Sequence, residues 1–175
     1  METEAPDYRQ VFNAIVPVVE RYGVEVTISD VVDPNTGDFD GERILLDYDQ
    51  DLEVALFVLV HLFGHTVQWN VSEKWRNLGL NVAKGKTEEE MRDIHEYEQG
   101  ATRLGIALMH QAGVRDMDGW ASDWWRADYE YLLHFYATGE KLDTRALLKR
   151  GSGDTLEPLP IPRFTPQRFA SRWSF

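Results

Sequence analysis

The sequence predicts an α+β fold, mostly helical with a small antiparallel sheet, and three observations predict it. Apolar residues recur at the helical period over about 8–22, 52–69, 87–111 and 120–138. Between the first two stretches lie two short, β-branched segments, 24–32 and 43–48, which read as strands. The stretch joining them, 34–41, is dense in turn formers, so the pair is expected to form a hairpin with a loop too long for a tight turn.

Each element has its own punctuation. The first helix carries Tyr8, Val11, Phe12, Ile15, Val16, Val19 and Tyr22 on one stripe. Pro17 lies inside it and is expected to kink it, and Gly23 is the expected stop. Asp49 or Asp51 can cap the second helix. Residues 70–86 look irregular, with Gly79 and Gly85. Thr87 followed by Glu90 is a capping-box pair that opens the third helix, and Gly113 closes it. The acids Glu88, Glu89 and Glu90 complement the helix dipole there. After the fourth helix a short fifth is expected over 144–149.

Length and composition set outer limits. At 175 residues the chain is long enough for one domain with a real core. We divide it into a body, 1–150, and a Pro/Arg/aromatic tail, 151–175, expected to dock on the body in extended form. A net charge of −12 argues against a general nucleic-acid binder and against an anionic membrane surface as partner. With no cysteine, thiolate chemistry is excluded, and any metal must be held by His, Asp, Glu or water. The acidic N-terminus has no apolar stretch of the signal-peptide kind, and the setting expected is the cytoplasm.

The chemistry concentrates in the second helix, at His61-Leu-Phe-Gly-His65. Two histidines four residues apart stand one turn apart on one helix face, where they can share a metal ion. The alternative is a pair of core histidines satisfied by hydrogen bonds. A third ligand is offered by the next helix, whose inward stripe runs Met91, Ile94, Glu98, Ala101, Gly105 and Leu108. Glu98 is the acid in the middle of that apolar, small-residue face. Its plainer role would be a helix-edge pair with Arg103. His95 lies at the edge of the same stripe.

His61-Leu-Phe-Gly-His65, with Glu98-Gln-Gly-Ala101 and its apolar continuation to Leu108, resembles the metallopeptidase domain of the ImmA/IrrE type within the zincin group. The resemblance spans about residues 8–112, including a strand that ends just before the histidine helix. It implies a zincin-like fold in which His61, His65 and Glu98 hold one zinc ion per chain, with a protein or peptide as substrate or partner. The sequence departs from the family pattern at one position. The glutamate expected after the first histidine is Leu62 here. Losing a general base costs about two to four orders of magnitude in rate. The expectation is therefore a zinc-dependent hydrolase of peptidase type with an unconventional base, or a catalytically silent relative that binds a protein or peptide.

Other groups bear on that choice. Asp128, on the fourth helix's stripe with Trp124, Leu132 and Phe135, is a candidate base or an orienting partner for a ligand histidine. A pair with Arg126, or a hydrogen bond to a buried Trp or Tyr, is the plainer expectation. His134 is a candidate fourth ligand, with a surface ion pair as the plainer one. Gln68 and Trp69 fall one turn past His65 and can line a cleft, although core packing is the safer expectation for Trp69. Gly64, between the ligands, points to close packing of the hairpin or of the third helix. His110, near a helix C-terminus, suits that dipole. In the tail, Arg163 to Phe175 interleave basic and aromatic residues, expected to settle on surface carboxylates and in a groove.

Overall fold

The computed structural model describes residues 5–31, 36–81 and 85–169. Val32, Pro34 and Asn35 of the expected strand and loop, and residues 170–175 of the expected tail, lie outside that range. Among the described residues six helices and three strands follow the order α1 (Tyr8–Arg21), β1 (Glu25–Ser29), β2 (Gly37–Phe39), β3 (Arg43–Asp47), α2 (Leu52–Val71), α3 (Glu73–Leu80), α4 (Glu88–Gln111), α5 (Asp118–Thr138) and α6 (Thr144–Leu147). The architecture is α+β, mostly helical.

The sheet is mixed, which corrects the expected antiparallel hairpin. Its order is β1-β3-β2, with β1 parallel to β3 and β2 antiparallel to β3. The turn-rich stretch holds a strand of its own. The tight reversal lies one step later, at Gly41-Glu42. Gly41 takes φ +98, and the Asp40 carboxylate accepts from the Glu42 and Arg43 amides. β2 thus spends one change of direction, and β3 emerges parallel to β1. Alternation along a strand fixes which face is buried but not the direction of its neighbour, so the pattern of β1 and β3 could not distinguish the two pairings.

One face of the sheet builds the core. Val26, Ile44 and Phe39 are opposite one another in register, and Ile44 and Leu46 are fully buried against α1 and α2. α2 is buried nearly all round, as a helix apolar on every side must be. By length and composition it could cross a membrane, but 72% of its apolar window is buried inside this fold. It is the central core helix. Phe63 and Leu59 are wholly excluded from water, and each such side chain contributes about 1.5–3 kcal/mol.

The expected punctuation is found at most ends. Asp51, rather than Asp49, caps α2, its carboxylate accepting from the Val54 amide at 3.0 Å. Thr87 and Glu90 form the reciprocal capping box. Gly23 and Gly113 take φ +83 just beyond α1 and α4. α1 continues through Pro17 to Arg21. α3 is a helix in the stretch that looked irregular. Ser72 caps it, and Gly79 lets it seat on Trp69 and Tyr97, since a Cβ there would lie 2.6 Å from Trp69 Nε1.

Residues 156–169 lie across the body with no helix or strand of their own. The Leu159 amide donates to the Arg103 carbonyl, and the Gln167 amide donates to Asn70 Oδ1. Phe164 stacks on Tyr22 at 5.6 Å, while Phe169 stands edge-on to Trp69 at 6.4 Å. Arg168 reaches Asp40 and Glu42.

Candidate metal centre

The site begins with how closely α2 and α4 approach. A Cβ at Gly64 would overlap the Ala101 carbonyl, and one at Gly105 would stand 2.7 Å from the Val60 carbonyl oxygen. Two glycines facing two peptide groups let the backbones touch. The expected close packing at Gly64 is thus met by the α4 helix. This contact sets the reach of side chains that project between the helices, and His61, His65 and Glu98 meet there.

The meeting is tight. Glu98 Oε2 lies 2.9 Å from His61 Nε2 and 3.1 Å from His65 Nε2, and the two Nε2 atoms are 3.0 Å apart. The other nitrogen of each ring is already committed. Gln68 donates its Nε2 to the Tyr97 carbonyl at 2.8 Å, which turns its Oε1 toward His65 Nδ1, also at 2.8 Å. An amide oxygen only accepts, so His65 Nδ1 carries the proton. The Thr102 hydroxyl donates to the Glu98 carbonyl at 3.4 Å and accepts from His61 Nδ1 at 3.3 Å. Both Nε2 atoms are left with lone pairs directed at each other and at a carboxylate.

Three acceptors this close, with no proton shared among them, repel one another, and a cation removes the repulsion. Two imidazoles and one carboxylate are the donor set of hydrolytic zinc sites. Neighbouring ligands on a tetrahedral ion with bonds of about 2.0–2.1 Å stand roughly 3.3 Å apart, within a few tenths of the edges here. The residues therefore fit a divalent transition ion. They form the one group of three or more metal-ligating side chains among the described residues.

The surroundings hold the rings still. His65 lies between Phe39, stacked at 5.7 Å, and Tyr97 at 4.2 Å. Tyr97 accepts from Trp69 Nε1 at 2.8 Å, which seats Trp69 in the core at 1% exposure. His61 stacks on Phe57 at 5.2 Å, and Phe57 on Trp124 at 5.1 Å. Gln68 thus acts as an orienting partner, whereas Thr102, Phe39, Phe57 and Tyr97 went unremarked in the sequence. A signal existed for Thr102, four residues past Glu98, and for Phe57, four residues before His61, each on the same helix face as its neighbour.

Asp128 is the remaining polar group. Its Oδ2 stands 3.9 Å from His61 Nε2, on the side that α5 presents. The expected pair with Arg126 is not formed, because Arg126 binds Asp123 one turn earlier and the Asp154 carbonyl. Arg103, the plainer partner for Glu98, donates instead to the Glu157 carbonyl at 2.8 Å. The two acids sit in opposed environments. Burial would raise Glu98, but where protons on the rings stand in for a cation, the charge of His65 and the hydrogen bonds from both rings outweigh it and hold the carboxyl well below its usual range. Asp128 is pushed up to about 6, because burial and the Glu98 charge outweigh the pull of His61.

Two of the sequence candidates are held elsewhere. His95 stands edge-on to Trp125 and Tyr129, and His134 pairs with Glu140 at 3.1 Å at the exposed end of α5. His134 makes the plainer surface pair, with a different acid from the Glu130 beside it, because Glu140 folds back after the left-handed Gly139. His110 pairs with Asp118 at 2.8 Å.

Two spaces border the triad. A cavity of about 170 Å³ beside it is lined by Phe39, Ile94, Leu132 and Tyr136. A cleft of about 540 Å³ lies between α2, the start of β2 and the segment after α5. His61, Leu62 and Asp128 line both. The far wall of the cleft is fixed by a buried hub that the sequence did not reveal. Glu53, in the first turn of α2, accepts from Trp120 Nε1 at 2.9 Å, Trp124 Nε1 at 3.1 Å, Arg145 at 3.1 Å and Arg150 at 2.6 Å. An acid in a first turn reads as a dipole partner, which concealed it.

Fold and site together define an α+β domain with a His-His-Glu cluster where two touching helices cross. Comparison with known protein families, with curated proteins and with solved structures finds no match.

Proposed function

We propose that this chain is a zincin-like metalloprotein, with one zinc ion on His61, His65 and Glu98, that hydrolyses amide bonds in proteins or peptides. The observation that carries the reading is the commitment of both Nδ1 protons, which leaves three unshared lone pairs converging within 3.1 Å. The ion would supply Lewis acidity at the end of the cleft. Gln68 and Thr102 hold the rings in the ligand tautomer, and Glu98 balances the charge. Asp128 faces the same space from α5, where it can hold and return a proton in place of the carboxylate missing at Leu62. Phe39, Phe57 and Leu62 restrict water. The cytoplasm is the proposed setting, in keeping with a chain that has no cysteine.

A second reading, a silent relative that binds a protein or peptide, is favoured by one feature. Leu62 presents an apolar side chain to both spaces beside the ligands. Elemental analysis of the purified protein beside His65→Ala comes first. About one zinc per chain, lost in the variant, supports the site, and no metal in either after zinc loading sinks both readings. Peptide hydrolysis by wild type, Leu62→Glu and Asp128→Asn then separates them. Activity in the wild type that collapses in Asp128→Asn supports the hydrolase. Activity only in Leu62→Glu supports the silent relative.

A further inference from the structure

We propose that this chain forms a two-fold symmetric dimer by antiparallel pairing of β1 with β1 of a second copy, centred on Thr27. The proposal does not depend on the metal site.

β1 is an edge of the sheet, at the end away from β2. The Glu25 amide donates to the Glu42 carbonyl, and the Ser29 carbonyl accepts from the Tyr48 amide. Residues 25, 27 and 29 therefore turn their peptide groups toward β3, and by the two-residue period Val26 and Ile28 turn theirs outward. Among the described residues nothing bonds to those outward groups. Natural edges are blunted by lysine, proline, a bulge or a covering element. β1, Glu-Val-Thr-Ile-Ser, has no lysine, proline or bulge, and its register with β3 is unbroken. One residue past its centre, Ile28 is 60% exposed although its partner Leu46 is buried. Tyr48, next on the Leu46 face, is 59% exposed.

The strand complements itself. About Thr27, an antiparallel copy sets Val26 against Ile28 twice as hydrogen-bonded pairs, with Thr27 against Thr27 as the close, non-bonded pair between them. The four β-branched apolar side chains fall on the face that Ile44 and Leu46 already occupy, so the pairing extends an existing core face. On the other face Glu25 meets Ser29 rather than a second acid. The two Glu25 residues stand four strand positions apart, roughly 13 Å, beyond the screening length of about 8 Å at physiological salt. A second copy thus suits an edge that bears one charge, even though the chain carries −12. The product is a continuous six-stranded sheet with isologous contact.

The absence of cysteine makes the register directly testable. In the dimer, Thr27→Cys places two thiols on Cα atoms about 4.5 Å apart, within disulfide range, whereas Ser29→Cys places its pair roughly 13 Å apart. Mild oxidation is expected to cross-link Thr27→Cys to near completion and to leave Ser29→Cys monomeric. Sedimentation of the unmodified chain is expected to show a concentration-dependent dimer, abolished by Ile28→Lys with the circular dichroism spectrum unchanged. Equal cross-linking of both cysteine variants, or of neither, overturns the proposal. So does a chain that stays monomeric up to about 1 mM, or a dimer that survives Ile28→Lys.

Discussion

Gly64→Ala tests how the site is held, because the same methyl group has opposed local and tertiary effects. In an isolated helix the exchange would add about 1 kcal/mol of stability. Here the new Cβ would overlap the Ala101 carbonyl, a backbone atom that cannot swing aside. Relief requires α2 and α4 to part by roughly 1 Å, and overpacking of this kind costs about 1–3 kcal/mol or more. A cost at the upper end of that range, less the propensity gain, leaves a net loss of about 2 kcal/mol. For a domain of this size that is a fall in Tm of roughly 4–8 °C. The separation also pulls Glu98 from His61 and His65, so zinc affinity is expected to fall together with stability. Gly119→Ala is the control, since its Cβ meets only Thr155 Oγ1, at 3.9 Å. Thermal melts with chelator, followed by zinc titration against a competing dye, read both quantities. If Gly64→Ala matches the wild type in Tm and in zinc affinity, the two helices do not set the ligand geometry.

Further outcomes follow from the same contacts. Glu53→Ala strands two buried indole N–H groups at about 1–3 kcal/mol each, and denaturant titration is expected to show a loss of roughly 3–5 kcal/mol. Burial raises the Glu53 carboxyl, but bonds from Arg150, Trp120 and Trp124 outweigh it and leave the group below its ordinary value. Its contribution to stability is then complete above the unfolded value of about 4.3 and is lost as pH falls through the lower folded value. Glu53→Gln should flatten that acid limb of the stability profile. Gln68→Ala removes the acceptor that fixes the His65 proton and is expected to weaken zinc about 10–100-fold, measured by competition, with little change in fold. Asp128→Asn is expected to lower peptide hydrolysis by about two to four orders of magnitude with zinc content unchanged.

His61 and His65 were legible in the sequence because a fixed helical period converts spacing into direction, and Glu98 because one acid interrupts an apolar stripe. Helix ends were legible where side chains close onto their own backbone, as at Thr87 and Asp51. The sheet was not, since pairing direction depends on a chain reversal at Gly41 that the alternation of β1 and β3 does not encode. Asp128 shows a different gap. Arg126 takes Asp123, three residues back on its own side of the helix, whereas Asp128, two residues on, is turned toward His61, a contact between helices that no local pattern reports. Glu53 draws its partners from residues 67–97 positions away, and no local pattern reports such a contact.

The docked segment 156–169 has a kinetic consequence. Its anchors, Tyr22 and Phe63 for Phe164, Asn70 for Gln167 and Asp40 for the Phe169 amide, lie at the end of α1, on α2 and in the β2–β3 turn, all far away along the chain. Those surfaces are complete only once the body has assembled, so the segment is expected to dock last, with its contacts absent from the folding transition state. Contacts formed after the barrier slow unfolding without speeding folding. Phe164→Ala should therefore raise the unfolding rate while the refolding rate stays where it was, and equal changes in both arms of the chevron would place the segment in the nucleus instead. The strap then governs the lifetime of the native state.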